Sequence, residues 1–309
     1  MYEKMKVETK MKNKNILLAT LAALGAQVIF GFSFMFTKIA LRFASPMTVI
    51  ADRYIIAFLS MSLVLIATKT KIKISKNIWK LVAMSLFQPL LYFIFESYGI
   101  KLTTSAFSSV MISMIPVVSM IGGMVFLKEI PAPLQYLFSA LSVGGVVMMA
   151  VSANAEGIVT PLGIILLAGA VLASVGYNIV SRQISGEFTV FERTYAMMLI
   201  GLIAFLGIAI TENIENPISV ITPFLEIEYT VGILYLGVVS SVAAFLMLNF
   251  ANTYLPVSKT TAFSNITTVV SVMAGAVFLK EQITVVSLIS VIMIIIGVWG
   301  VQILGVKQR

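Results

Sequence analysis

The sequence predicts an all-α integral membrane protein with ten transmembrane helices, arranged as two inverted five-helix repeats. Three observations lead there: the composition, the spacing of long apolar stretches, and a segment that occurs twice. The chain is 59% hydrophobic and only 11% charged, with a mean hydropathy of +1.03, whereas a soluble domain carries about 25% charged residues. Most of this chain is therefore expected to contact lipid or other helices.

Ten apolar stretches follow one another, each close to the roughly 20 residues that a helix needs to cross a bilayer. They cover residues 15–37, 47–67, 78–98, 105–126, 133–152, 160–181, 191–211, 229–251, 258–279 and 284–304. A basic tail, residues 1–14, precedes them, and a short tail, 305–309, follows. The first stretch is too long for a cleaved signal peptide and is assigned as a membrane helix.

A 20-residue segment recurs at an offset of half the chain. Val110–Glu129 and Ala262–Glu281 align without a gap and share nine of twenty residues, including VVS and the charged ending FLKE. Such a match indicates an internal duplication, with one repeat at 15–152 and the other at 160–304. Because five helices is an odd number, the second copy has to enter the membrane upside down, as in many secondary transporters.

The charge pattern predicts the orientation. On the predicted topology, sixteen of the 21 Lys and Arg residues lie on the side of the two termini, and five on the other. Positive residues favour the cytoplasmic side, so both termini are expected there. A net charge of +8 could indicate nucleic-acid binding in a soluble protein, but here it reflects this loop asymmetry, and no nucleic-acid partner is expected.

The residue inventory excludes several kinds of chemistry. The chain has no His and no Cys, which excludes disulfides, Cys/His metal sites, Cys nucleophiles and His proton relays. It has no GxxxxGK[ST] loop, so direct use of ATP by this chain is not expected. We predict no cofactor and no metal.

Polar and small residues recur at intervals of three and four along several predicted helices, which places them on single faces. Polar side chains inside a bilayer turn toward protein or water, so these faces are candidate walls of a solute cavity. The candidates are Gln27, Gly31, Phe34, Gln88, Tyr92, Ser109, Ser113, Pro116, Ser174, Tyr177, Asn178, Ser240, Phe245, Thr261, Ser264, Asn265 and Thr268. The alternative for each is plain helix packing through small or hydroxyl side chains.

Acidic residues are scarce within the apolar stretches. Glu96 is a candidate proton carrier for coupled transport; the alternative is an interfacial carboxylate exposed to water or paired with Lys38 or Lys101. The Asp52-Arg53 dipeptide is interpreted as an interfacial pair. Glu129 and Glu281 are expected to cap the helices that follow them, or to lie in headgroup water.

Several short motifs occur in a fixed order. In the first half they are Phe30-Gly31 with Lys38, then Pro46 with Arg53, then Gly99, Thr104-Ser105-Ala106, Pro116, Leu127-Lys128-Glu129 and Gly145. In the second half they are Gly237, Ala251, Leu255-Pro256, Leu279-Lys280-Glu281 and Gly297. Over nearly its whole length the chain thus resembles the EamA branch of the drug/metabolite transporter superfamily. The resemblance implies ten helices and transport of a small organic solute, since members export amino acids, other metabolites or toxic compounds.

The leading functional prediction is a secondary carrier in the plasma (inner) membrane that works by alternating access, with a small organic solute, an amino acid or related metabolite, as its cargo. Its cavity is expected among the first, third, fourth, sixth, eighth and ninth helices, in a monomer or homodimer. An uncoupled facilitator or channel-like pore is the alternative. An intramembrane enzyme is a further one, although neither HExxH nor a pair of membrane acids occurs.

Overall fold

The computed structural model describes residues 2–72, 77–127, 132–155, 159–215, 222–255, 260 and 263–303. Within these ranges the regular structure is helical and no strand occurs. The all-α prediction is therefore confirmed. We number the long helices α1 to α10 in chain order.

The first half contains α1 (Tyr2–Ala40), α2 (Pro46–Ala67), α3 (Ile78–Lys101), α4 and α5 (Pro133–Ala155). Helix α4 consists of two pieces, α4a (Ser105–Ile112) and α4b (Ile115–Leu127). The second half contains α6 (Pro161–Gln183), α7 (Val190–Glu212), α8 (Ile227–Tyr254), α9 (Ser264–Phe278) and α10 (Val285–Ile303).

Each of the ten predicted spans overlaps one of these helices. Among the described residues, seven helical stretches are long and apolar enough to cross a membrane, and three shorter apolar stretches lie in α5, α9 and α10. The protein is therefore a multi-pass membrane protein. Ten crossings remain a prediction.

Local sequence sets where several helices begin. Thr104, Thr160 and Thr189 each accept a hydrogen bond from a backbone N–H of the first turn that follows. Such N-caps satisfy donors that have no partner within the helix. Pro46 and Pro161 stand at the first helical position, where the missing N–H costs nothing.

Helices α3 and α8 share an irregularity near their middle. Each contains a π-helical segment, Leu86–Leu91 in α3 and Tyr235–Ala243 in α8. Gln88 lies in the first of these with a non-helical backbone (φ −146°, ψ 115°), directly before Pro89. Such segments redirect side chains and occur frequently at functional sites.

Helix packing is the same when the two halves are exchanged. Helix α1 packs against α8 and α9, and the matching helix α6 packs against α3 and α4. Three further contacts join a helix of the first half to the equivalent helix of the second: α2 with α7, α4a with α9, and α5 with α10. This pattern brings both halves around the centre of the molecule.

Helices α5 and α10 approach through equivalent glycines. A Cβ at Gly297 would lie 2.6 Å from the carbonyl oxygen of Phe138, and one at Gly145 would lie 2.8 Å from that of Ser290. Small residues permit this close backbone approach in membranes, where van der Waals contact drives helix association. The pair contributes no residue to the cavity described next and supports its walls from outside.

Candidate functional site

A central cavity of about 60 Å³ lies between the two halves. Its walls come from α1, α3, α4, α6 and α8, from α9 with the preceding Thr260, and from one residue of α2. The lining residues are Gln27, Phe30, Ser33, Phe34, Arg53, Gln88, Tyr92, Phe93, Glu96, Ile112, Ile115, Ser174, Asn178, Ser240, Leu248, Thr260, Ser264 and Thr267. The helices predicted to form the cavity are therefore the ones that line it, with α2 as an addition.

Arg53 is the cationic residue of this wall, and only 3% of it is exposed. Its Nε donates to Ser241 Oγ at 2.7 Å, and its Nη2 donates to Ser240 Oγ at 3.0 Å. The guanidinium lies 4.1 Å from the centre of the Phe93 ring, a cation–π contact. These contacts hold the charge in one position.

The interpretation of Asp52-Arg53 as an interfacial pair is wrong. Asp52 is buried and accepts a hydrogen bond from the Tyr229 hydroxyl at 2.5 Å, while Arg53 lies on the cavity wall. Adjacent residues of a helix project about 100° apart, so the two side chains have separate partners.

Glu96 is the acidic residue of the same wall. It is 6% exposed and accepts a hydrogen bond from the Tyr92 hydroxyl at 2.8 Å, one turn away on α3. The alternative pairing with Lys38 is wrong, because Lys38 instead donates to the Ile100 and Thr103 carbonyls. Within the described residues no direct ion pair joins Glu96 to Arg53, so each charge is held mainly by neutral groups.

Hydroxyl and amide groups complete the polar part of the wall. Thr267 donates to Gln27 Oε1 at 2.7 Å, and Ser33 donates to Ser240 Oγ at 2.8 Å, so α1 is bonded to both α9 and α8. The buried Ser264 hydroxyl has no hydrogen-bond partner within the described residues. A buried hydroxyl usually finds a partner, and a solute or water in the cavity could supply one.

Nine predicted residues lie on the cavity wall: Gln27, Phe34, Gln88, Tyr92, Glu96, Ser174, Asn178, Ser240 and Ser264. Seven others do not: Gly31, Ser109, Ser113, Pro116, Tyr177, Phe245 and Thr268. Thr261 and the side chain of Asn265 lie outside the described part of the chain.

The seven residues away from the wall have packing roles. A Cβ at Gly31 would lie 2.6 Å from the Val270 Cβ, so this glycine lets α1 approach α9. The Ser113 hydroxyl donates to the Val110 carbonyl, and the Thr268 hydroxyl donates to the Ser109 carbonyl. The Ser113 bond thus stays within α4, whereas the Thr268 bond joins α9 to α4.

Two aromatic residues of this group support the wall from behind. Phe245 makes an edge-to-face contact with Phe30, with ring centres 5.4 Å apart, and another with Phe93 at 6.3 Å. Tyr177 contacts Phe245 in the same way and donates to Asn249. Pro116 is buried in the first turn of α4b, where the helix restarts after the break at Ser113 and Met114.

The predicted candidates omit nine residues of the wall: Phe30, Ser33, Arg53, Phe93, Ile112, Ile115, Leu248, Thr260 and Thr267. For Arg53 a signal was present. It lies seven residues after Pro46, where α2 begins, and therefore roughly 10 Å along the helix at 1.5 Å per residue. A charge at that depth requires partners inside the protein.

One end of the bundle is held by a charged cluster that joins the two halves. The Glu281 carboxylate accepts from Ser105 N and Oγ, both at 2.9 Å, and from Ala106 N at 3.1 Å. Glu281 therefore caps α4a, not the helix that follows it, which corrects the prediction. Lys280 has a positive φ of 55° in the turn that leads to it, and Glu129 lies outside the described residues.

A second polar cluster joins α6, α7 and α8. Arg193 is fully buried and donates to the carbonyl oxygens of Ser181 and Asn249 and to the hydroxyl of Thr253. Asn252 in turn donates to Asn178 Oδ1 at 3.2 Å. Because Asn178 also lines the cavity, this cluster is connected to the wall.

Comparison with known proteins identifies the family. The sequence profile of the EamA-like transporter family matches residues 17–151 and 161–303. A Bacillus subtilis (strain 168) protein named "Uncharacterized transporter YcxC" is 31% identical over 286 residues, which cover 91% of this chain and 92% of that protein. An "Uncharacterized transporter" of Archaeoglobus fulgidus is 23% identical over 269 residues, covering 87% and 93%.

A solved crystal structure shares the fold. It superposes with a TM-score of 0.65 at 15% identity, over 93% of this chain and 98% of the other. With the profile match across nearly the whole chain, the chain belongs to the EamA-like transporter family of the drug/metabolite transporter superfamily and is a membrane transporter, not an enzyme.

Proposed function

We propose that this transporter is a secondary carrier that exports a small organic solute, an amino acid or related metabolite, across the plasma (inner) membrane by alternating access. The observation that carries the proposal is the central cavity, which holds an arginine and a glutamate on a wall built by both halves of the chain. Pockets of this kind, mainly apolar with a few fixed polar groups, are typical of small-molecule sites.

An inverted repeat would give this cavity two equivalent ways to open. The symmetric helix pairings, the π-helical segments in α3 and α8, and the equivalent glycines Gly145 and Gly297 support it. Transporters with such repeats place the solute near the midplane and rock one repeat against the other. The Glu281 cluster and the Arg193 cluster would then lie toward opposite membrane faces, and each would have to loosen when its side opens.

Glu96 is the proposed site of proton coupling. It is buried on the cavity wall beside the Tyr92 hydroxyl, where both the solute and a proton could reach it in turn. The chain has no His, and Glu96 is the acidic residue of the cavity wall, so we propose that this carboxylate carries the proton.

Counterflow in liposomes tests the proposal. The full chain, reconstituted and preloaded with one amino acid or metabolite at a time, should accumulate the labelled solute against its gradient while the unlabelled pool leaves. A carrier shows saturable counterflow, and a channel-like pore does not. Flux without counterflow would favour the channel-like pore.

Cysteine labelling tests the cavity itself. Because the chain has no Cys, Ser174→Cys and Ser264→Cys give single thiols on the wall, and we expect a small water-soluble thiol reagent to label both during turnover. Transported solute should slow both reactions. Ser85→Cys and Ser290→Cys are the controls, since both serines are fully buried away from the cavity. Equal labelling of all four would contradict a solute cavity here.

A further inference from the structure

Arg53 carries the positive charge of the cavity wall, and its contacts hold the guanidinium in one position. Within the described residues its protein hydrogen bonds use Nε and Nη2, which donate to the Ser241 and Ser240 hydroxyls. Both acceptors are neutral, and no carboxylate forms an ion pair with the guanidinium within the described residues. The Nη1 group has no such bond, so its two N–H donors remain for a bound molecule.

A buried cation held by hydroxyls and an aromatic ring is stabilised less than one paired with a carboxylate. Removing a charge from water costs several kcal/mol unless an opposite charge replaces the lost hydration. The Phe93 ring at 4.1 Å offsets only part of that cost. Within the described part of the chain, Glu96 lies on the same wall without a direct ion pair to the guanidinium, so an anionic group in the cavity would provide a direct partner.

The remaining wall limits what kind of anion fits. Glu96 lies on the same wall, so a second negative charge on the solute would be repelled. Phe30, Phe34, Ile115 and Leu248 provide apolar surface around the polar groups. A solute with one carboxylate and an apolar body matches both features.

We infer that Arg53 binds the carboxylate of the transported solute, and that the solute is a monocarboxylate with an apolar body. The guanidinium is suited to this role because it presents parallel N–H donors to a carboxylate. Ser240, Ser241 and Phe93 are positioning residues that aim it. The inference rests on the proposed function and narrows the solute to one chemical class, which includes both apolar amino acids and simple monocarboxylates.

Binding to the purified full chain tests the inference, with pairs of probes that differ only in the acid. The probes are phenylalanine and phenylalaninamide, leucine and leucinamide, and 4-methylpentanoate and its amide, measured by titration calorimetry. We expect at least one acid to bind about ten- to a hundredfold more tightly than its amide, the range of a hydrogen bond to a charged group. Glutamate and succinate should bind more weakly than that acid.

Arg53→Gln should remove this preference. It should lower the affinity for the acid by the same factor and leave the affinity for the amide nearly unchanged. Arg53→Lys keeps the charge but loses the paired donors, and should lie in between. Arg42→Gln is the control, because Arg42 is an exposed arginine that does not line the cavity, and its acid-to-amide ratio should equal that of the unmodified chain.

Several results would overturn the inference: equal affinity for acid and amide in the unmodified chain, the same ratio in Arg53→Gln, or no binding by any acid. If neither Arg53 variant folds, the ratio in the unmodified chain decides alone. The proposed function fails separately. Binding of an acid without counterflow would contradict transport and leave this inference intact. Counterflow of amines or sugars alone would support transport and contradict this inference.

Discussion

Glu96 and Tyr92 lie one helical turn apart on α3, and both contribute to the cavity wall. The tyrosine hydroxyl donates a hydrogen bond to the carboxylate at 2.8 Å and so fixes its position on the wall. The carboxylate therefore differs from an interfacial acid: it meets the solute cavity, and protonation would change the charge of the wall by one unit.

If Glu96 carries the coupling proton, Glu96→Gln should abolish solute accumulation driven by a proton gradient and keep solute exchange, because the amide cannot take up a proton. Both activities are measured in the same liposomes, with and without the gradient. Tyr92→Phe is the control, since it removes the hydrogen bond but keeps the carboxylate, and it should remain coupled. Normal proton-driven accumulation by Glu96→Gln would end this role and would mean that another group carries the coupling proton.

Glu187 lies outside the membrane spans, between α6 and α7, and forms an ion pair with Lys80 in the first turn of α3. Hydrogen bonds from Lys80 and then from Asn77 lower the pKa of the Glu187 carboxyl. A lowered pKa means that the contact stabilises the fold above the ordinary glutamate pKa and is lost as the pH falls through the lowered value.

We therefore expect Glu187→Gln to lower the thermal stability of the detergent-solubilised protein slightly at pH 7. The difference from the unmodified chain should begin to shrink near the ordinary glutamate pKa of about 4.3 and vanish only once the pH is below the lowered pKa of Glu187. The effect should be small, because exposed ion pairs contribute little. A difference that grows toward acid pH would contradict the assigned sign.

At the scale of helices, the duplicated segment can now be explained by its contacts. The Lys-Glu ending provides a carboxylate that caps a helix of the other half, α4a, and Gly275 leaves room for it: a Cβ there would lie 2.6 Å from Glu281 Oε2. Negative charge near the N-terminus of a helix stabilises its first turn. In the second copy, the repeated ending thus connects the two halves through Glu281.

Glu281→Gln should lower the free energy of unfolding by about 1–2 kcal/mol, because the cap loses its charge and one of its two acceptor oxygens. Thermal denaturation in detergent measures this. Glu226→Gln is the control, since Glu226 is exposed and its side chain makes no cap hydrogen bond. Equal effects of the two variants would mean that the cap does not contribute to stability.

The contact between α5 and α10 gives a steric prediction. Gly297→Ala should destabilise the protein, because its Cβ would lie 2.6 Å from a backbone oxygen and 2.7 Å from the backbone nitrogen of Ser142, and two helices would have to separate. Gly144→Ala is the matched control, since its Cβ would meet only the Met293 Cε at 3.7 Å. A stable Gly297→Ala variant would show that this contact can yield.

The helices themselves were largely predictable, while their irregularities were not. Hydropathy located an overlapping helix for every predicted span, because the length of an apolar run is set by the bilayer. Pro116 hinted at the break in α4, but the π-helical segments of α3 and α8 depend on packing between helices, which no local pattern encodes.

The cavity could be predicted as a set of helices and only in part as a set of side chains. The helical repeat of 3.6 residues per turn assigns residues to one face of a helix. In a bundle, however, one face can contact both the cavity and a neighbouring helix. Gln27 and Gln88 meet the cavity, whereas Ser109 and Thr268 meet each other's helix instead. That division depends on tertiary packing.

At the scale of the whole molecule, orientation is the property on which the inverted repeat depends. The structure refines the charge count, because Arg53 and Arg193 are buried within the bundle and cannot act as loop charges. Without them, fifteen basic residues lie on the side of the termini and four on the other, so the asymmetry that predicts cytoplasmic termini persists.

We therefore expect Met1 and Arg309 both to face the cytoplasm. The same reporter pair, one active only in the cytoplasm and one only outside, should be fused in turn to each end and after Glu215, which lies in the link between α7 and α8. The cytoplasmic reporter should work at both ends, and the external reporter should work after Glu215, because seven crossings separate that link from the N-terminus. Termini on opposite sides would require an odd number of crossings, and an odd number cannot be divided into two five-helix halves of opposite orientation.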